Sequence, residues 1–388
     1  STLRHTLFPY TTLFRSLMAK LAVHGGTPLY SADSFNTTWP IVEQADIEAV
    51  RDVAASGEWW RSGRGTQVED FEKEFAEYHD AAYCLAVSNG TIAIDAALRV
   101  MGVEPGDEVI VTPMTFIASA SAIIMARAVP VFADVDPDTY QLDPASVETQ
   151  ITDRTRGIVT VHYAGYPSDM DALKALADKH GLFLIEDSAH AQGSEWRGRK
   201  IGAIGDIGTF SFQQSKSLTS GEGGAIITDN QTAYEDAFAY HHIGRGMQAA
   251  TYDHTTVGPN YRLTEFQGAA LRTQLQKLQA QTETRMKNVD ELFRLLADIP
   301  GLDRLKPDTR ITQRGFYFVI VRYLQDKMNG LHRDAFLNAL RAEGMPVGHG
   351  YGRPVYQLPA FAEGSFGKKG CPISCGFYGK DVDYAKLH

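Results

Sequence analysis

Lys216 closes the run Phe210-Ser211-Phe212-Gln213-Gln214-Ser215-Lys216, just past an apolar stretch. Apolar surroundings make an ammonium costly to keep charged, so its pKa falls towards neutrality and its amine can condense with a carbonyl. Taken alone, the same residue reads as a solvated surface lysine, since lysine is almost never buried unpaired. Asp187 ends the apolar run of residues 182–186, LFLIE. A carboxylate there can simply cap the next helix. It can also keep a heterocyclic nitrogen protonated, which turns the ring into an electron sink for a carbanion. Asn89-Gly90-Thr91 is a small-residue turn that opens a helix. Its backbone N–H groups and the helix dipole suit a phosphate dianion, with hydroxyls from Thr91 and Ser211 as further donors. Any strand-to-helix turn can carry such residues. Phe116, in Pro113-Met114-Thr115-Phe116, offers either a face for a flat ring or an ordinary core side chain. One molecule answers all of these features: an aldehyde for Lys216, a ring nitrogen for Asp187, a phosphate for Gly90, Thr91 and Ser211, and a flat face for Phe116. That molecule is pyridoxal 5'-phosphate (PLP).

The elements that must position these residues follow from periodicity. Apolar residues recur at helical spacing over 46–57, 66–78, 92–101, 116–126 and 170–180. Between them lie short apolar runs at 82–87, 108–112, 130–134, 157–162, 182–186, 208–212 and 225–228, which read as strands. Strands that are apolar throughout and alternate with helices predict an α/β fold with a mostly parallel sheet covered on both faces. Ligands of such sheets bind beyond the strand carboxyl ends. From 262 to 299 the pattern becomes one long helix, followed by a strand at 317–322, a helix at 333–343 and a short strand near 346. The boundary between a large cofactor-binding domain, 18–265, and a smaller C-terminal α/β domain, 266–388, is placed inside that helix.

The bulk numbers agree with this reading and exclude others. A chain of 388 residues exceeds the roughly 100–200 of one ordinary domain. Hydrophobic residues make up 44% and charged residues 22%, as in globular proteins. A net charge of -10 gives no footprint for nucleic acid or an anionic membrane. No apolar run is long enough to span a bilayer, and the expected location is the cytoplasm. Cys84, Cys371 and Cys375 are too few for a disulfide framework. The last two lack further ligands at metal spacing, so no metal is expected.

Both ends read oddly. Residues 6–16, TLFPYTTLFRS, are what a common sequencing adapter encodes in frame, so residues 1–17 are set aside as an artefact. The alternative is a mitochondrial-type leader carrying Arg4 and Arg15, although Pro9 interrupts the helix such leaders need. The tail over 364–388 is rich in Gly and Lys without helical periodicity, and reads as a small domain that lacks its last strand and helix.

The segments SNGTIAIDAAL, PGDEVIVTPMTF, VFADVDPDTY, IEDSAHAQGS, GTFSFQQSKSLTSGEGGAIIT and GPNYRLTEFQGAAL appear in one order between 39 and 276. Together they resemble the DegT/DnrJ/EryC1/StrS family of PLP-dependent aminotransferases, whose fold is that of aspartate aminotransferase (PLP fold type I). The resemblance implies that Lys216 forms the Schiff base with PLP and that Asp187 partners the pyridinium nitrogen. It places Gly90, Thr91 and Ser211 on the phosphate, Phe116 on the ring, and His190 near the phenolic oxygen, where many relatives have Gln. Asn260 would reach the phosphate of a neighbouring subunit, which implies an obligate homodimer with shared sites. The partners implied are an amino-acid donor, L-glutamine or L-glutamate, and a small-molecule ketone. The Gln213-Gln214-Ser215-Lys216 run is similar to the branch acting on cyclitol ketones such as scyllo-inosose and 2-deoxy-scyllo-inosose, near 3-amino-5-hydroxybenzoate synthase, in aminocyclitol and antibiotic biosynthesis. Tyr351, Arg353 and Tyr356 either line the substrate side or serve packing. A nucleotide-sugar aminotransferase and a non-catalytic member of the fold remain as alternatives. Lys216 argues against the family's dehydratase branch, which has His there, and no G-x-G-x-x-G follows an early strand as a nicotinamide enzyme would require.

Overall fold

The computed structural model describes residues 20–387 apart from 32, 36, 37, 62, 251, 365, 367–369, 374, 375 and 381. The segment 1–17, set aside above as an artefact, lies outside the described residues. Helix α1 (Gln44–Ser56) opens with a capping box, the Glu43 N–H donating to Asp46 at 2.7 Å, and stops at Gly57 in the left-handed region. Helix α2 (Gln67–Tyr78) buries Val68, Phe71 and Phe75, one face at helical spacing. Strand β1 (Tyr83–Val87) then leads into α3 (Gly90–Val100), and the Asn89 side chain caps that helix by accepting from the Ile92 N–H at 3.1 Å.

The same unit recurs with β2 (Glu108–Val111), α4 (Ala118–Met125), β3 (Val129–Phe132), α5 (Pro144–Gln150), β4 (Thr155–Val161), α6 (Met170–His180) and β5 (Phe183–Asp187). After these come β6 (Glu195–Trp196), β7 (Arg199–Lys200), β8 (Ile207–Ser211), β9 (Gly224–Thr228), α7 (Gln231–His241) and α8 (Glu265–Leu296). The chain continues through β10 (Leu302–Asp303), β11 (Ile311–Gln313), β12 (Arg322–Tyr323), α9 (Arg333–Ala342) and α10 (Pro359–Ala362).

The seven-stranded sheet has the order β1-β9-β8-β5-β4-β2-β3. The strands from β8 to β3 are parallel, whereas β9 runs antiparallel to both β8 and β1. This reversal matters for the site. The register pairs Gly224, the first residue of β9, with Val87 at the end of β1 and with Ser211 at the end of β8. The carboxyl ends of β1, β8 and β5 therefore share one edge. On one face of the sheet Phe71, Phe75, Phe210 and Phe212 meet edge-on, for example at 5.0 Å and 89° between Phe75 and Phe210.

The chain divides into two compact units. Among the described residues the larger comprises Pro40–Leu295, Arg304–Ile320 and 353–387; the smaller comprises 20–39, Leu296–Asp303 and Val321–Gly352. The division thus differs from the boundary expected near 265, because Leu271, Leu275 and Leu278 of α8 complete the phenylalanine cluster of the larger unit. Within the smaller unit Glu343 holds the early segment, accepting from the N–H groups of Ala22 at 2.8 Å and Leu29 at 3.0 Å.

The strand expected at 317–322 is mostly irregular, and only Arg322–Tyr323 pairs, with Leu302–Asp303. Gly315 and Phe316 just ahead are pinned to another loop, as described below, and cannot enter a ladder. No strand forms near 346. The described part of the late tail supplies core residues: Tyr378 donates to Glu108 at 2.6 Å and Tyr384 to the Pro130 carbonyl at 2.8 Å. Cys371 is disulfide-bonded and Cys84 is a buried free thiol. Among the described residues no helix is long and apolar enough to cross a membrane.

Arg61 and Glu72 form a buried bidentate pair, at 3.1 and 2.5 Å, and Glu72 also accepts the Ala86 N–H of β1 at 2.8 Å. Glu72→Ala leaves the Arg61 charge buried without its partner and should cost about 3–5 kcal/mol. Urea unfolding of the variant against the parent checks this.

Candidate functional site

Lys216 follows β8 in a tight turn, its N–H donating to the Gln213 carbonyl at 2.8 Å. Its Nζ lies 4.5 Å from the centroid of the Tyr317 ring. Burial lowers the ammonium pKa to about 8, and the Asp187 carboxylate works in the opposite direction. The lysine is thus half-buried, within electrostatic reach of Asp187, and titrates close to neutrality. This is what an amine needs if it is to form and release a carbonyl adduct.

Asp187 is the last residue of β5 and only 5% exposed. Ser119 donates to its Oδ2 at 2.6 Å, and the Ala189 N–H donates to its Oδ1 at 3.2 Å. Ser119 is itself in hydrogen-bond contact with Thr115, at 2.9 Å between their hydroxyls. Two donors hold the carboxyl in one orientation. Alternation along β5 sends the neighbouring Glu186 to the other side of the strand. There it accepts from the N–H groups of Gly202, Ile204 and Gly205 at 2.9, 2.7 and 2.6 Å and meets His162 at 3.1 Å. Phe116 precedes Ser119 by one helical turn and is 57% exposed, an unusual state for a large aromatic in an otherwise buried region.

The third cluster is built by glycines. A Cβ on Gly90 would fall 2.7 Å from the Ser211 Cβ, and one on Gly224 would fall 2.8 Å from the Gly90 nitrogen. Only glycine at both positions lets the start of α3 lie against the ends of β8 and β9. The first N–H groups of α3, at Gly90 and Thr91, have no intrahelical acceptor and open beside the Ser211 hydroxyl. Behind Ser211, the Gln192 amide donates to its carbonyl at 2.7 Å. The Gln192 Oε1 and the Ser188 Oγ are buried with no hydrogen-bond partner. Such orphaned polar atoms are rare in a finished interior.

His190 is buried, accepts the Ala164 N–H on Nδ1 at 3.4 Å, and stacks on Tyr317 at 4.2 Å and 23°. Burial, reinforced by the Lys216 charge, drives its pKa well below the usual histidine range, so it is a neutral imidazole. Asn260 is exposed and its Oδ1 accepts the Arg262 N–H at 3.4 Å. Its segment runs beside the end of β1, where the Ser88 N–H donates to the Tyr261 carbonyl at 2.8 Å. No bond joins Asn260 to Lys216 or Asp187 among the described contacts. Of the late residues, Tyr356 is a core side chain packed on Phe132 at 5.7 Å. Arg353 is exposed in the larger unit, and Tyr351 falls in the smaller one.

Ser119, Ser215, Gln192 and Tyr317 were missed by the sequence reading. Ser119 was within reach of it, since it stands in the first turn of the helix that follows the post-strand segment carrying Phe116. Tyr317 carried no local signal, because an irregular loop brings it in from far along the chain.

Residues 40–381 match the DegT/DnrJ/EryC1/StrS aminotransferase family. The chain belongs to that family. Its members similar to this chain include the 3-amino-5-hydroxybenzoate synthase of Amycolatopsis mediterranei, 41% identical over 327 residues, 84% of this chain and 83% of that protein. Another is the L-glutamine:2-deoxy-scyllo-inosose aminotransferase of Streptoalloteichus tenebrarius, 39% identical over 362 residues, 89% of this chain and 84% of that one. The crystal structure of 3-amino-5-hydroxybenzoic acid synthase superposes with a TM-score of 0.79 at 41% identity, covering 84% of this chain and 85% of that one. The family's cofactor is PLP, and this chain is a PLP-dependent aminotransferase. The lysine of lowered pKa, the doubly hydrogen-bonded carboxylate and the glycine-lined helix start fit the aldehyde, ring nitrogen and phosphate of that cofactor.

In the cofactor-free protein, labelling of the Lys216 amine by acetic anhydride should follow a titration centred near pH 8. Asp187→Asn removes the charge that raises this pKa, so the midpoint should move to lower pH. Mass spectrometry of the labelled peptide across pH reads both.

Proposed function

We propose that Lys216 binds the PLP aldehyde, that Asp187 faces the ring nitrogen, and that Gly90, Thr91 and Ser211 hold the phosphate. Phe116 covers one face of the ring, and His190 lies near the phenolic oxygen as a neutral hydrogen-bonding group. The observation that carries this reading is the pairing of a lysine of lowered pKa with a buried carboxylate at adjoining strand ends, beside a helix start lined by glycine. When bound, PLP supplies an electron sink conjugated to the donor's α-carbon. Once displaced by the donor amine, Lys216 Nζ would take the proton from the donor's α-carbon as a base and deliver it as an acid to the cofactor's C4′ carbon, and the ketone would run the same transfer in reverse in the second half-reaction. An amine with a pKa of about 8 retains enough free base near neutrality for the first step and enough acid for the second. The Ser119 hydroxyl and the Ala189 N–H fix the Asp187 carboxylate, so its charge stays where the ring nitrogen needs it.

The substrates proposed are L-glutamine as donor and a cyclitol ketone as acceptor, with ping-pong kinetics. The names of the similar relatives and the Gln213-Gln214-Ser215-Lys216 run support this choice. Asn260, exposed on a segment beside the phosphate turn, supports a homodimer in which each subunit completes its partner's site. A cytoplasmic location belongs to the same proposal.

Lys216→Ala should abolish turnover and the visible absorbance of the bound cofactor; a variant that kept both would remove Lys216 from the mechanism. Asp187→Ala should cost ~3 kcal/mol or more of transition-state stabilisation, about a hundredfold in kcat. With L-glutamine as donor, 2-deoxy-scyllo-inosose should be aminated and keto-sugar nucleotides should not. The opposite pattern would make the chain a nucleotide-sugar aminotransferase.

A further inference from the structure

The roles assigned so far leave Tyr317 unused, although it touches three residues of the site. Its ring lies under Lys216 Nζ at 4.5 Å, stacks with His190 at 4.2 Å, and its hydroxyl is 2.7 Å from the Ser215 Oγ. One side chain therefore contacts Lys216 itself, the residue before it, and the imidazole beside it.

The backbone around Tyr317 is built to hold it there. Phe316 sits at φ 48, in the left-handed region that a bulky residue avoids unless its surroundings force it. The Gly315 N–H donates to the Ser194 Oγ at 2.8 Å, and that hydroxyl donates to the Gly165 carbonyl at 2.9 Å. A Cβ on Gly315 would meet the Gln192 carbonyl oxygen at 2.3 Å, and one on Gly165 would meet the Phe316 nitrogen at 2.9 Å. The loop carrying Tyr317 is thus clamped onto the turn that follows Asp187, and the strain at Phe316 directs the ring to the lysine.

The charged and titratable groups facing Lys216 are Asp187 and His190, with Tyr317. His190 is neutral and gives the ammonium no charge to pair with. A carboxylate in the place of Tyr317 would hold the lysine permanently protonated. An aromatic face attracts an ammonium more weakly and cannot take its proton. This suits an amine that must leave a carbonyl carbon, wait nearby, act as a base and return. We infer that Tyr317 is the positioning residue for Lys216: its ring face holds the released amine, and its hydroxyl, through Ser215, fixes the turn that carries it. The inference rests on the role proposed for Lys216.

The test uses the cofactor-free full-length protein and acetic anhydride labelling of Lys216 across pH, with kinetics of the loaded enzyme as a second readout. Tyr317→Leu removes the ring and should lower the labelling midpoint by about half a pH unit. Tyr317→Phe keeps the face and should leave the midpoint in place. Tyr317→Phe and Ser215→Ala should each lower kcat about threefold to tenfold with KM little changed. The double variant should lose no more than either single one, as expected for two ends of one hydrogen bond. A midpoint that stays put or rises in Tyr317→Leu, or independent losses in the double variant, would overturn the inference. Tyr317→Phe is conservative enough to fold, and its cofactor absorbance confirms that the site forms. Retained turnover and absorbance in Lys216→Ala would instead sink the role of Lys216, whatever the tyrosine series shows.

Discussion

A half-buried amine and a buried carboxylate sit within electrostatic reach of each other, and the rest of the larger unit keeps them from becoming an ordinary ion pair. Burial pulls the Lys216 pKa down to about 8 while Asp187 pulls it back up. Had burial acted alone, the lysine would be a neutral amine without direction; had the carboxylate dominated, it would be a permanent ammonium. Ser119 and the Ala189 N–H each bond one Asp187 oxygen, so the carboxylate is held in place while its charge still acts on the lysine.

The sheet makes this arrangement cheap to build. Parallel strands bring their carboxyl ends to one edge, so Asp187 and Ser211 arrive together without any long loop. The antiparallel β9 adds something parallel strands cannot. Its beginning, not its end, lies at that edge, and a glycine there makes room for the start of α3. On the proposed reading, phosphate would be recognised by backbone N–H groups and two missing Cβ atoms more than by charged side chains. That fits a chain whose overall charge is negative.

Much of this was legible beforehand, for physical reasons. Residues 82–87, 108–112 and 182–186 are apolar throughout because both sheet faces are covered, and they ended within a residue or two of the observed strands. Lys216, Asp187 and Gly90 could be singled out because post-strand positions are few and chemically distinctive. What failed depended on distant contacts. Residues 317–321 have the composition of a strand, yet Gly315 is tied to Ser194 and Phe316 is held at positive φ, so the segment becomes a clamp. The helical pattern after 262 revealed the existence of α8 but not that its first half closes the phenylalanine cluster of the larger unit. The two-residue strands β6 and β7 and their partner β11 are too short to show any period at all.

The most direct measurement is borohydride reduction of the PLP-loaded protein followed by peptide mapping. The account predicts a single stable phosphopyridoxyl group, on the peptide containing Lys216. A modification on any other lysine, or none while the enzyme remains active, would contradict it.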